Sequence, residues 1–210
     1  LTYTGNGVTP RAITGTSFQP DLVWIKARSV GYNNNIGDAV RGANKTLYSN
    51  DTAAEVTNNG AGYISAFNSD GFSVTTGPVD ANQVNTNGTT YVAWCWDESA
   101  TPGFDIVTYT GDGNTGRTVS HNLGVKPSMV IVKTRAGGTE GWPVWHKSLS
   151  SESHFLRLNE TSSTFTTFTN RWTAFSNTTI TLGNNSETNG SGYTYVAYLW
   201  SEVAGFSKFG

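Results

Sequence analysis

Between Thr90 and Glu98 the chain reads TYVAWCWDE, and from Thr194 to Glu202 it reads TYVAYLWSE. Side chains alternate between the two faces of a strand, so Val92, Trp94 and Trp96 share one face and Tyr91, Ala93 and Cys95 the other. The second stretch divides the same way, Val196, Tyr198 and Trp200 against Tyr195, Ala197 and Leu199. Both faces are apolar or aromatic, which predicts a strand covered on two sides. A short buried helix gives a similar run, but brevity and the aromatic and β-branched content favour strand. A second pair of apolar runs, Pro20–Arg28 and Pro127–Arg135, places Val23 and Ile25, and correspondingly Val130 and Val132, toward a core. Trp24, Lys26 and Arg28 then share the opposite face with Ile131, Lys133 and Arg135, a face expected to be half-exposed.

These pairings belong to a longer set. Tyr3–Gly7 (YTGNG) returns as Tyr109–Gly113 (YTGDG), Ala66-Phe67 as Ala174-Phe175, and Asn87-Gly88 as Asn189-Gly190. The landmarks keep their order and their spacing drifts only slightly, which indicates an internal duplication with small insertions in loops. Strands are predicted near residues 1–4, 11–14, 21–27, 39–41, 46–48, 63–67, 72–75 and 91–96, and near 106–110, 117–120, 128–134, 143–146, 154–158, 172–175, 179–182 and 193–200. Short strands separated by Gly, Asn and Pro indicate an all-β fold. The expected architecture is two tandem antiparallel β-sandwich domains of jelly-roll-like type, residues 1–102 and 103–210, joined near the SATPG linker at Ser99–Gly103. Leu1 falls inside a strand-like run and Gly103-Phe104 recurs as Gly205-Phe206, so the chain is expected to be a piece of a longer protein with further copies.

Composition narrows the function classes. Charged residues are 13% and the formal net charge is −2, which gives no electrostatic case for nucleic acid or for an acidic membrane surface. No signal peptide, membrane-crossing run or lipidation motif is visible. The single cysteine, Cys95, cannot make an intrachain disulfide and reads as a small buried apolar residue.

Candidate chemistry is sparse. His121, His146 and His154 form no zinc-type spacing. His121 opens HNLGVKP, where hydrogen bonding within a turn is its expected task, and copy one has no counterpart. Asp38, Asp70, Asp97, Glu98, Glu152 and Glu202 are scattered, and spacing along the chain does not reveal the cleft-flanking carboxyl pair that glycoside hydrolysis needs. No nucleophile elbow, P-loop or dinucleotide fingerprint occurs, so no catalytic residue is expected. Asn6, Asp112, Asn114, Asn184 and Asn185 carry oxygens of the kind calcium accepts, but such residues commonly cap turns, and neither metal nor cofactor is expected. Trp24, Trp94, Trp96 and Trp200 read as structural. Trp142, Trp145 and Trp172 occur in copy two only, and Trp142 follows a Gly-rich stretch at an expected loop edge. The candidate ligand-binding residues are Trp142 and Trp145, with Tyr32 and Asn33, Asn34 and Asn35 in a loop of copy one.

YTGNG, FQPDLVWIKAR, VRGANKTLYSND, FNSDGF and YVAWCW in copy one, with FDIVTYTGDG, HNLGVKPSMVIVKTR, WPVWH, YVAYLW and GFSKFG in copy two, resemble a family of duplicated β-rich domains. These occur in virion and tail-fibre-like proteins of marine bacteriophages, and the likeness covers nearly the whole chain. HNLGVKP is also similar to a turn of sugar-binding H-type lectins, which copy one lacks. The resemblance implies a structural or adhesive part of a virion surface and supplies no functional residues. The expectation is a non-enzymatic fibre, appendage or capsid decoration that contributes to host attachment. Its expected partners are further copies of itself in a homo-oligomer, other virion proteins and a host surface glycan, without membrane insertion. The alternatives are a carbohydrate- or receptor-binding module and a subunit of a secreted filament.

Overall fold

The computed structural model describes residues 1–78, 83–166 and 170–210. The chain forms two compact units, Leu1–Asp51 with Glu55–Asp97, and Glu98–Gly210 with Thr52–Ala54. In the first, the strands among the described residues run in order: β1 (Thr2–Thr4), β2 (Arg11–Thr14), β3 (Leu22–Ala27), β4 (Asn35–Asp38), β5 (Lys45–Tyr48), β6 (Val56–Thr57), β7 (Tyr63–Asn68), β8 (Gly71–Thr75) and β9 (Thr90–Trp96). In the second come β10 (Phe104–Thr110), β11 (Arg117–Ser120), β12 (Met129–Ala136), β13 (Pro143–His146), β14 (Leu156–Arg157), β15 (Trp172–Phe175), β16 (Thr179–Leu182), a one-turn helix α1 (Ser186–Asn189) and β17 (Thr194–Trp200). The fold is all-β, and its sheets are antiparallel and open.

The order of strands repeats. The larger sheet of the first unit runs β1-β9-β3-β4-β5-β6, and that of the second β10-β17-β12-β13-β14. The smaller sheets run β2-β8-β7 and β11-β16-β15. Within each unit the two sheets contribute to one apolar cluster. In the first it gathers Val23 and Ile25 with Ile13, Phe72 and Tyr91; in the second, Val130 and Val132 with Ile180, Leu182, Trp172 and Tyr195. The core-facing valines and isoleucine of β3 and β12 thus lie where alternation places them.

The YTG repeat has a structural reason that is the same in both units. The Tyr3 hydroxyl donates to the Val84 carbonyl at 2.7 Å, and that of Tyr109 donates to the Thr188 carbonyl at 2.7 Å. Tyr3 stacks on Tyr91 at 4.9 Å and Tyr109 on Tyr195 at 5.0 Å. Burial raises the hydroxyl pKa of Tyr3 and Tyr109, which keeps both as donors. The residue two positions on must be glycine: a Cβ on Gly5 would lie 2.0 Å from the Thr86 carbonyl oxygen, and one on Gly111 2.2 Å from that of Gly190. A buried asparagine closes each arrangement. Asn85 Oδ1 accepts from the Asn6 N–H at 3.2 Å and Asn189 Oδ1 from the Asp112 N–H at 3.0 Å. Asn85, rather than Asn87 of the sequence landmark, is therefore the counterpart of Asn189; Asn87 is exposed.

Three further expectations change. The strand expected at Ala39–Arg41 is a turn, and the strand lies just before it at β4. Asn-Ile-Gly-Asp has poor strand propensity, but pairing on both sides with β3 and β5 outweighs it. Asp38 then anchors the turn, accepting from the Arg41 N–H at 2.7 Å and its Nε at 2.5 Å. The two-sided covering expected of both aromatic strands holds for β17 but not for β9, where Trp94 is 47% exposed. The face opposite the core of β12 is not half-exposed: Lys133 is buried, with Nζ donating to the Glu140 carbonyl and lying 5.7 Å from the Trp142 ring centre.

Candidate functional site

Trp145 stands on β13 directly across from the core residue Val130. In the first unit the residue across from Val23 is Gly37, and a Cβ there would meet Ile64 Cδ1 at 2.8 Å. The same register position thus holds an indole in one unit and no side chain in the other. Trp145 packs one ring face on Phe175, with centroids 3.9 Å apart and planes 22° from parallel. Its Nε1–H is buried and has no hydrogen-bond partner among the described residues.

Trp145 forms one wall of a cavity of about 360 Å³ at the end of the second unit, whose lining includes Lys126, Ser128, Lys147, Glu152 and Glu202. Lys126 closes the HNLGVKP turn, its N–H donating to Asn177 Oδ1 at 3.0 Å. Its ammonium pairs with Glu152 and lies 5.6 Å from the Trp145 ring centre. Lys147 follows β13 closely, is held by its N–H on the Ser128 carbonyl at 2.9 Å, and pairs with Glu202. The Lys147 ammonium, followed by the Phe209 N–H on Oε1 at 2.8 Å, lowers the Glu202 pKa below its ordinary value. The cavity therefore presents two cations and two anions, beside an indole that is itself a core residue only 3% exposed.

The turn itself is held by His121, which is buried. Its Nε2 lies 3.3 Å from the Ser176 carbonyl oxygen, and Nδ1 accepts from the Leu123 N–H at 3.4 Å. Those contacts fit the neutral ring with the proton on Nε2. Burial lowers its pKa, opposed by the Ser176 carbonyl and by Asp105. Asp105 also accepts from the Asn122 N–H at 2.6 Å. The hydrogen-bonding task expected of His121 within the turn is what its ring performs.

The other expected site residues are placed differently. Trp142 is fully buried, so it does not edge an exposed loop; its N–H donates to Asn159 Oδ1 at 2.9 Å. Tyr32 packs against the first unit's core, and its carbonyl accepts from Lys26 Nζ at 3.1 Å. Asn33 Oδ1 accepts from Asn50 Nδ2 at 2.9 Å, the Asn34 N–H donates to Asn50 Oδ1 at 2.8 Å, and Asn35 is buried. These residues tie a loop of the first unit together, while Trp142 and Trp145 belong to the second unit.

A second aromatic surface was not expected from the sequence. Trp24, Trp94 and Trp96 line an open groove of about 280 Å³ on the first unit. Trp24 and Trp94 meet edge to face at 6.2 Å. Alternation put Trp94 and Trp96 on one face; what it did not carry was that this face meets water.

Among the described residues no group of three His, Cys, Asp or Glu side chains is placed to hold a metal, and no helix is long and apolar enough to cross a membrane. No curated protein and no solved structure matches the chain. A family model does match it, over residues 1–210, and the chain accordingly belongs to the family described as Domain of unknown function, DUF7483.

Proposed function

We propose that this chain is a non-enzymatic structural protein of a bacteriophage particle, a fibre, appendage or surface decoration at the virion exterior, built from two copies of one ancestral β-sandwich. The observation that carries the duplication is the repeated strand order together with the repeated tyrosine, glycine and asparagine arrangement around Tyr3 and Tyr109. The jelly-roll-like reading is supported by the crossing of the chain between the two sheets of each unit near its first and last strands, although β3, β4 and β5 run as a meander. Placement on a phage rests on the resemblance of YTGNG, HNLGVKPSMVIVKTR and YVAYLW to virion domains. Sheets with open edges invite pairing with neighbours, which supports a homo-oligomer bound to other virion proteins.

The test is to purify particles from a host that carries the gene, identify their proteins by mass spectrometry and locate the chain by electron microscopy. Stoichiometric, repeated density for both units at the particle surface is the expected result. Particles that lack the chain would overturn the proposal.

A second reading, attachment to a host surface glycan, has its own observation. The cavity beside Trp145 is lined by Lys126, Lys147, Glu152 and Glu202, charged groups that hydrogen-bond hydroxyls.

A further inference from the structure

The first strand of each unit pairs with the aromatic strand beside it, but not over the same length. β10 runs opposite β17 from Phe104 facing Trp200 to Thr110 facing Thr194. β1 pairs with β9 from Thr4 to Thr2, and Leu1 adds a rung, exchanging both backbone hydrogen bonds with Ala93 at 3.0 and 2.8 Å. The counterparts of Tyr198, Leu199 and Trp200 are Trp94, Cys95 and Trp96. Beside them no strand among the described residues continues the ladder. A cavity of about 360 Å³ lies there, and its lining includes Leu1, Thr16, Phe18, Trp94 and Cys95. Hydrogen-bonded rungs fall on alternate residues of an antiparallel pair, so the Cys95 N–H and carbonyl face this opening.

The second unit shows what such an edge receives. Phe104 follows Gly103, whose φ is +72°, and packs its ring on Trp200 at 4.9 Å, where it is buried. The same dipeptide recurs as Gly205-Phe206, with φ +76° at the glycine. The turns match as well. The Phe104 N–H donates to the Ser99 carbonyl at 3.1 Å and the Phe206 N–H to the Val203 carbonyl at 2.9 Å. Glu98 Oε1 accepts from the Ile106 N–H at 3.1 Å, and Glu202 Oε1 from the Phe209 N–H at 2.8 Å. Phe206 nevertheless joins no sheet and is 72% exposed.

We infer that copies of this chain join head to tail, residues 205–208 of one copy seating along β9 of the next. Carried over from β10, the register sets Phe206 opposite Trp96, Ser207 opposite Cys95 and Lys208 opposite Trp94. Phe206 then enters the apolar groove of Trp24, Trp94 and Trp96, and the Lys208 ammonium comes within reach of the Trp94 ring, whose face attracts a cation. The Ser207 N–H, now on the Val203 carbonyl at 2.9 Å, exchanges that acceptor for the Cys95 carbonyl. A tail meeting an edge is a heterologous contact, which propagates along a line instead of closing on itself. The inference names the surface used by the homo-oligomer proposed above and rests on that reading. A chain that stays monomeric in solution removes the junction, while its presence on particles would still carry the structural role.

The experiment uses the whole chain. Sedimentation velocity from micromolar to near-millimolar concentration is expected to show species that grow with concentration. Phe206→Asp is expected to weaken that association about tenfold or more, since a charge replaces a ring that the junction buries. Ser207→Cys gives a second readout, because hydrogen-bonded partners on antiparallel strands stand about 5.5 Å apart at Cα, within disulfide reach. Mild oxidation is expected to produce a ladder of covalent oligomers in which the introduced thiol is joined to Cys95 of another copy, and Phe206→Asp in that background is expected to abolish the ladder. A chain that remains monomeric at the highest concentration would overturn the inference. So would a disulfide to Cys95 of the same chain, disulfides between introduced thiols alone, or association that Phe206→Asp leaves unaltered.

Discussion

Replacing Asn189 by alanine removes a side chain that is fully buried and bonded on both its atoms. Nδ2 donates to Asp112 Oδ1 at 3.0 Å, to the Asn114 carbonyl at 2.9 Å and to the Gly183 carbonyl at 2.9 Å, while Oδ1 accepts from the Asp112 N–H. The Gly183 bond is buried, so its orphaned carbonyl costs about 1–3 kcal/mol, and each of the three part-buried bonds adds about 0.5–1.5 kcal/mol before water recovers some of it. The expected loss is about 3–4 kcal/mol. With a urea slope of roughly 1–3 kcal/mol per molar, the unfolding midpoint of the second unit falls by about 2 M. Asn189→Asp should be worse than alanine, because it sets a carboxylate against Asp112 and two carbonyl oxygens. The assay is urea unfolding followed by fluorescence and circular dichroism. Asn85→Ala should cost a similar amount in the first unit, whereas Asn87→Ala, at an exposed position, should stay within about 0.5 kcal/mol. A midpoint shift below about 0.5 M for Asn189→Ala, or an Asn87→Ala loss equal to that of Asn85→Ala, would refute the reasoning.

Three other outcomes are expected. The pKa of His121 is lower in the fold than in the unfolded chain, so the unfolded state binds protons first. Its contribution to stability is complete above about pH 6.5 and is lost as pH falls through the folded value; His121→Gln should flatten that slope in urea titrations, and an unchanged slope would contradict it. Burial pushes the Cys95 thiol up to about 11, so near neutral pH its reaction with a disulfide reagent should be on the order of a hundredfold slower than that of free cysteine; a rate equal to the free thiol would count against this. Asp38→Asn leaves the buried Arg41 guanidinium with Glu55 but without its nearer partner, and should cost about 3 kcal/mol by thermal or urea unfolding; a neutral result would show that Glu55 alone satisfies it.

Alternation along the chain made the core-facing residues legible. Val23, Ile25, Val130 and Val132 are apolar at every second position, and each is fully buried. Alternation names two faces but not which of them meets solvent, and that is why Trp94 and Lys133 exchanged the expected environments. A tryptophan reads as core and a lysine as surface until the neighbouring elements are placed. β4 was illegible because Asn, Gly and Asp look like a turn, and only pairing with β3 and β5 makes them a strand. The Asn85 counterpart of Asn189 was missed because Asn-Gly is a conspicuous dipeptide. The available signal was distance to the following strand, since Asn85 and Asn189 stand equally far ahead of Tyr91 and Tyr195. The Trp145 indole was legible as an aromatic peculiar to copy two, but the ion pairs beside it come from separate loops and converge only in space.

Gly37 and Trp145 share a register, so the extremes of side-chain size occupy one address in the same arrangement of strands. Backbone pairing sets that address, and the residues stacked above it adjust, Ile64 descending over the glycine and Phe175 lying flat on the indole. Novelty at such a place needs no new loop and no shift of the ladder. One unit can carry an aromatic ring at a fixed coordinate while the other leaves the same coordinate bare.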